Sequence, residues 1–172
     1  VYPALMAAAV GELYGMTGEE IARGVKNFLP TKMRMNVMRL PGDVVVLNDA
    51  YNANPQSMRA AAAVLGDAKD RRKVAIVGDM LELGPSSDLF HRAVGQSFGE
   101  MGTDCLIAVG ELARYLAEGA REAGMGQVYR FDTLEQAMPI ILEQLRPGTT
   151  ILVKASRMMK FERIVGALAA AA

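Results

Sequence analysis

The sequence predicts an α/β fold: a mainly parallel sheet covered by helices on both faces. Three observations carry that prediction. Short apolar or β-branched runs recur at 73–77, 105–109, 127–131 and 150–153. Longer stretches with helical spacing alternate with them at 55–68, 87–101, 111–123 and 133–145, and a terminal helix is expected from about 159. The short runs are too uniformly apolar to face water on one side, as expected of parallel strands buried between two helical layers.

The elements follow in order. Residues 4–10 are nearly all small or apolar, and Gly15 is suited to stop that helix. Thr17-Gly18-Glu19-Glu20 forms a capping box: a hydroxyl for an orphan N–H, and a carboxylate reaching back. Ile21, Val25 and Phe28 continue on one face, and Pro30 ends the run. Residues 1–27 therefore read as a helical hairpin whose first arm is apolar enough to need a partner surface. Its face of Leu5, Met6, Val10 and Leu13 predicts self-association or folding onto the α/β part. Runs at 35–40 and 44–49 flank Pro41-Gly42-Asp43, a turn signal that predicts a β-hairpin. Strand-then-helix alternation takes over from there, with right-handed crossovers, and the architecture is Rossmann-like.

Composition narrows the function classes. The 172 residues carry 19 Lys+Arg against 19 Asp+Glu, a formal net charge of zero, which argues against a dedicated nucleic-acid binder. A hydrophobic share of 51% with 22% charged argues against disorder. The single cysteine, Cys105, forbids an internal disulfide and any Cys-rich zinc site, and its apolar run predicts a buried thiol. No apolar stretch approaches the ~20 residues of a membrane helix. Val1-Tyr2-Pro3 lacks the basic flank of a signal peptide, so we expect a cytoplasmic protein. The chain opens on Val1 rather than Met, and we expect a piece of a longer protein.

Ligands of open α/β sheets bind beyond the carboxyl ends of the strands, so the residues after each run matter most. After 44–47 comes Asn48-Asp49-Ala50-Tyr51-Asn52-Ala53-Asn54-Pro55. An N-cap before a first-turn proline accounts for Asn54. It does not account for Asp49, Tyr51 and Asn52, whose carboxylate, phenol and amide offer partners to ribose hydroxyls and a base edge. After 73–77, Gly78 is expected to turn the chain sharply and Asp79 to point a carboxylate into the same crevice, although Gly-Asp at this position is more often turn chemistry. His91 follows, with no nucleophile to serve. Gly110-Glu111 offers little beyond a turn and a charge suited to a helix N-terminus. After 150–153, Lys154-Ala155-Ser156-Arg157 is either an anion site or a solvated loop. There is no phosphate loop, no Gly-x-Gly-x-x-Gly after a strand, no metal-ligand spacing and no nucleophile elbow.

Taken together, Lys32-Met33-Arg34-Met35, the string from Asn48 to Met58, Gly78-Asp79-Met80-Leu81-Glu82-Leu83-Gly84, His91 and Val153-Lys154-Ala155-Ser156-Arg157 resemble the Mur ligases along nearly the whole chain. Many relatives place Gly where this chain has Met33, and often where it has Ala155. The resemblance implies an ATP-dependent amide ligase of three domains. On that pattern, residues 1–35 are the last helices of a truncated central ATPase domain, and 36–172 are the Rossmann-like C-terminal domain. The Tyr-Asn-Ala-Asn-Pro string favours the members that join D-Ala-D-Ala to a UDP-N-acetylmuramoyl tripeptide through an acyl phosphate. That step belongs to peptidoglycan precursor synthesis, and so to cell-wall biogenesis, cell shape and cell division.

By position, the resemblance implies ATP binding by Arg34, Asp49, Tyr51, Asn52 and Asn54, with Asp49 on the ribose and Arg34 near the phosphates when domains close. It implies substrate binding by Lys154, Ser156 and Arg157, with Asp79 and His91 lining the same cleft. No catalytic residue and no metal ligand fall within the chain. ATP and Mg2+ serve the whole enzyme, neither being expected on this piece alone, and its other domains are its partners, with no nucleic acid or membrane. The alternatives are another amide ligase of the superfamily, such as a folylpolyglutamate synthase relative, and a stand-alone Rossmann-like nucleotide-binding module.

Overall fold

Local signals set the first unit. In the computed structural model, which describes residues 2–29 and 31–172, the chain divides into two units, one up to Thr31 and one from Lys32 onward. Helix α1 (Tyr2–Leu13) gives way at Gly15, whose φ of +74° suits a residue without a Cβ. Helix α2 (Gly18–Lys26) opens with the expected capping box: the Glu20 amide donates to Thr17 Oγ1 at 3.3 Å, and the Thr17 amide to Glu20 Oε2 at 2.8 Å. It ends sooner than its apolar spacing predicts. Asn27 is the cap, so Phe28 lies beyond the helix, and the stop expected at Pro30 falls outside the described residues. Phe28 instead joins Ala4, Ala7 and Val25 around an apolar hollow of about 390 Å³ between the two helices.

The second unit holds the sheet. Strands β1 (Asn36–Leu40) and β2 (Val44–Asn48) form the expected hairpin, registered from Asn36 opposite Asn48 to Leu40 opposite Val44. Then come α3 (Pro55–Gly66), β3 (Arg72–Gly78), α4 (Ser87–Glu100), β4 (Cys105–Val109), α5 (Ala113–Glu122), β5 (Gln127–Phe131), α6 (Leu134–Leu142), β6 (Thr149–Lys154) and α7 (Glu162–Ala171). The sheet order is β1-β2-β6-β3-β4-β5, and every pair except β1–β2 is parallel. Successive strand residues feed opposite cores. Val74, Ile76, Ile107, Ile151 and Val153 pack with α6 and α7, whereas Ala75, Val77, Leu106, Ala108 and Leu152 pack with α3, α4 and α5.

Some expectations shift. Strand β5 lies on the sheet edge, and Gln127, Tyr129 and Arg130 are exposed, so one strand is half solvated rather than buried. The terminal helix begins at Glu162, three residues late, because Arg157–Met159 form a 3-10 turn closed by Lys160 at φ +54°. Residues 32–35, which the resemblance groups with the preceding helices as part of 1–35, are tied into the α/β layer. The Tyr51 amide donates to Met33 O at 3.1 Å, and the Met35 amide to Asp49 Oδ1 at 3.0 Å.

The strand order decides where a ligand can sit. Strand β6 inserts between β2 and β3, so the chain changes direction across the sheet there. The carboxyl ends of β2, β6 and β3 therefore lie side by side at a topological switch point, where open sheets place their ligands.

Candidate functional site

Three segments meet at that switch point. Beneath them, Lys154 ends β6 and Asp49 follows β2. Lys154 Nζ lies 2.6 Å from Asp49 Oδ2 and donates to Asn52 O at 2.7 Å, while Asp49 Oδ1 takes the Met35 amide. The Lys154 side chain is only 3% exposed and that of Asp49 16%. A charge so buried must be paired where it stands. Lys154 is thus a strut under the 49–54 turn rather than a free anion-binding cation, and each Asp49 oxygen has a partner within that framework. Asn54 is committed as well. It caps α3 by accepting the Ser57 amide at 2.8 Å, and Ser57 Oγ accepts the Asn54 amide at 3.1 Å.

Asp79 and His91 also have inner partners. Asp79 is 6% exposed, and its Oδ1 accepts the Ala113 amide at 2.7 Å, capping α5 from 34 residues away. Gly110 makes room for this: at φ +128°, a Cβ there would lie 2.4 Å from Asp79 Oδ1. Burial raises the Asp79 pKa, opposed by the amides of Ala113, Leu112 and Glu111 and by His91. Gly78, expected to turn the chain, lies within β3, and its role is close packing: a Cβ would meet the Phe161 ring at 2.7 Å and Ala155 Cβ at 2.9 Å. His91 is fully buried, with Nε2 accepting the Met80 amide at 2.9 Å and Nδ1 2.6 Å from Ser87 O. Burial lowers its pKa, against the Ser87 carbonyl, Asp79 and Asp88. Both ring nitrogens of His91 and Oδ1 of Asp79 are thus engaged within the fold, which fits the structural reading of the histidine that the sequence favours over a catalytic one.

What faces outward is a cavity of about 210 Å³ lined by Tyr51, Asn52, Leu81, Glu82, Ser156, Arg157 and Met158. The Arg34 guanidinium stacks 4.4 Å over the Tyr51 ring, a cation–π contact at the edge of this wall. Arg157 is exposed and pairs with Glu162 Oε2 at 2.8 Å, a bond that solvent keeps exchangeable. Ser156 is buried, and its Oγ accepts the Leu81 amide at 2.9 Å. Of the residues singled out from sequence, Tyr51, Asn52, Ser156 and Arg157 share this cavity. Glu82, four residues past the end of β3, was not singled out from sequence, and no pattern there marks it. It is exposed at φ +63°. Among the described residues, no three His, Cys, Asp or Glu side chains converge to hold a metal.

The cavity offers an aromatic face, an exchangeable guanidinium and a carboxylate around a volume suited to a small zwitterion or part of a nucleotide. The family model described as "Mur ligase, glutamate ligase domain" matches residues 33–157. The chain is 33% identical over 167 residues to the UDP-N-acetylmuramoyl-tripeptide--D-alanyl-D-alanine ligase of Bacillus subtilis, covering 96% of this chain and 36% of that protein. To the Escherichia coli ligase of the same name it is 35% identical, again covering 96% and 36%. A crystal structure of MurF from Acinetobacter baumannii superposes with a TM-score of 0.87 at 32% identity, over 97% of this chain and 37% of that one. The chain thus spans little more than a third of the length of these relatives. With the match running through every segment of the switch-point crevice, the chain belongs to the Mur ligase family.

Proposed function

We propose that this chain is the C-terminal portion of an ATP-dependent amide ligase that joins D-Ala-D-Ala to a UDP-N-acetylmuramoyl tripeptide. The observation that carries the proposal is the match over 96% of the chain to ligases of that name. Residues 36–172 act as the C-terminal domain, and 1–35 as the exit from a central ATPase domain. The exposed apolar residues Leu5, Met6, Val10 and Leu13 support a role for the hairpin as part of a larger core, or as a self-associating surface outside it.

ATP, when bound, supplies the phosphoryl group that activates the tripeptide carboxylate. Tyr51 offers its ring to the base, Asn52 its amide edge, and Arg34 a cation directed along the crevice. Asp49, Lys154 and Asn54 hold that turn in place from below. Mg2+ is assigned to the portions of the ligase outside this chain. On the other wall, Arg157 takes the dipeptide carboxylate in exchange for Glu162, beside Ser156. The domain works by positioning: it orients the dipeptide amine and excludes water, contributions that convert a bimolecular encounter into an oriented attack.

An NMR titration of this chain with D-Ala-D-Ala and, separately, ATP tests the assignment. Shifts at Glu82 and Arg157 with the dipeptide and at Tyr51 with ATP are expected. Equal response to single amino acids such as glutamate would move the chain to another branch of the family. No response to any of them would leave the crevice without its ligands. The chain by itself is expected to release no phosphate from ATP with the full substrate set.

A further inference from the structure

His91 stands on α4, yet it serves the loop after β3. Its Nε2 accepts the Met80 amide at 2.9 Å, and its Nδ1 lies 2.6 Å from Ser87 O. A ring nitrogen accepts only when it carries no proton, and one facing a carbonyl oxygen must carry one. The hydrogen-bond pattern therefore assigns a neutral ring with its proton on Nδ1.

The next two residues complete the argument. The Leu81 amide donates to Ser156 Oγ at 2.9 Å, and the Ser156 amide donates to Asp79 O at 3.0 Å. Glu82 then sits in the left-handed region, φ +63°, on the cavity wall. A non-glycine residue keeps that conformation only where its surroundings over-determine it. Here the surroundings are the two fixed amides just before it.

We propose that His91 is a positioning residue for the crevice: by holding the Met80 amide it sets the Leu81–Glu82 wall and presents Glu82 to the ligand. The meaning of this for catalysis rests on the ligand assignment above. The residue touches no ligand and acts only through the loop. Ser156 is its counterpart from β6, so the wall is clamped from two elements that are distant in sequence.

Amide exchange in His91→Phe and His91→Gln variants tests the proposal. In His91→Phe the Met80 and Leu81 amides should exchange about tenfold faster, the loss of one hydrogen bond, while β4 amides keep their protection. The Gln side chain can place an acceptor near the Nε2 position, so His91→Gln should restore protection. Unchanged exchange in a folded His91→Phe overturns the proposal. So does acceleration spread equally over β4, which marks a general stabilising role. Should His91→Phe not fold, ring nitrogen shifts of the unmodified chain decide. Neutral imidazole protonated at Nδ1 supports the proposal, and protonation at Nε2 near neutral pH overturns it. The D-Ala-D-Ala titration read at Glu82 is independent: its failure beside an intact exchange result counts against the ligand assignment and leaves the role of His91 standing.

Discussion

The two ends of the sheet hold cavities of opposite kinds. At the amino ends of β3, β4 and β5, an open cleft of about 620 Å³ is lined by Asp70, Arg71, Arg72, Lys73, Asp104, Gly126 and Gln127. At the carboxyl ends of β2, β3 and β6 the cavity is about a third as large by volume, about 210 Å³. In the larger cleft Arg71 and Asp104 are closed on neighbours, while among the described residues Asp70 and Lys73 join no ion pair and Arg72 Nη1 is buried without a partner. Arg71 pairs with Asp43 at 2.9 Å, Arg72 donates to Gln127 at 3.2 Å, and the Asp104 carboxylate takes the Lys73 amide at 2.7 Å. The smaller one stands on a buried ion pair and two clamped amides, and it leaves an arginine and a glutamate on its rim. Volume does not mark the site. What marks it is buried polar structure spent on holding exposed polar groups still.

Removing one strut from each end tests this most severely. Lys154→Met leaves the Asp49 carboxylate buried without its cation and should cost about 3–5 kcal/mol in urea unfolding. Arg71→Met frees Asp43, whose side chain is 67% exposed, and should cost only about 1–2 kcal/mol, its hydrogen bonds to Thr150 and Thr149 included. Equal losses would erase the distinction between the ends. Gly110→Ala comes next. Strain at φ +128° and the collision with Asp79 should cost about 2–3 kcal/mol and strip exchange protection from the Ala113 amide.

A smaller effect depends on pH. Burial holds the His91 pKa below its ordinary 6.5 in the folded chain, so the unfolded chain binds the proton first. The stabilisation is present above that value and is lost as pH falls through it toward the folded pKa, with a slope of at most about 1.4 kcal/mol per pH unit. Asp79 acts in the opposite sense. Its pKa is raised above 3.8, so the folded chain protonates first, and stability falls as pH rises through the raised value. Unfolding curves collected across the acid range should show the His91 slope, and His91→Gln should flatten it. The smallest change in stability is expected of Arg157→Ala, below about 1 kcal/mol because its pair with Glu162 is largely solvated. The same variant should abolish the D-Ala-D-Ala shift at Glu82. A large loss of stability with binding intact would move Arg157 from the rim to the frame.

How much of this was legible depends on the range of each interaction. The capping box at Thr17, the N-cap at Asn54, the turn at 41–43 and the strands at 105–109 and 127–131 are written in neighbouring residues, and they appear where the sequence puts them. The ends of α2 and α6 were less legible. Asn27 caps α2 short of its apolar pattern, and α6 stops at Leu142 although apolar spacing continues to Leu145. Tyr51, Asn52, Ser156 and Arg157, singled out because ligands of open sheets lie beyond strand ends, line one cavity. Glu82 carries no pattern that separates it from a solvated loop residue.

By itself the sequence determined the alternation of strands and helices, the buried thiol of Cys105 and the family, because apolar period and motif order are properties of the chain in one dimension. Only the tertiary structure decided that β6 enters between β2 and β3, that Lys154 meets Asp49 across 105 residues, and that Asp79 and His91 face inward. A periodic pattern specifies which side of an element avoids water. It does not specify which buried charge or amide will complete another, since that is fixed only when the layers close and each polar group must find a partner.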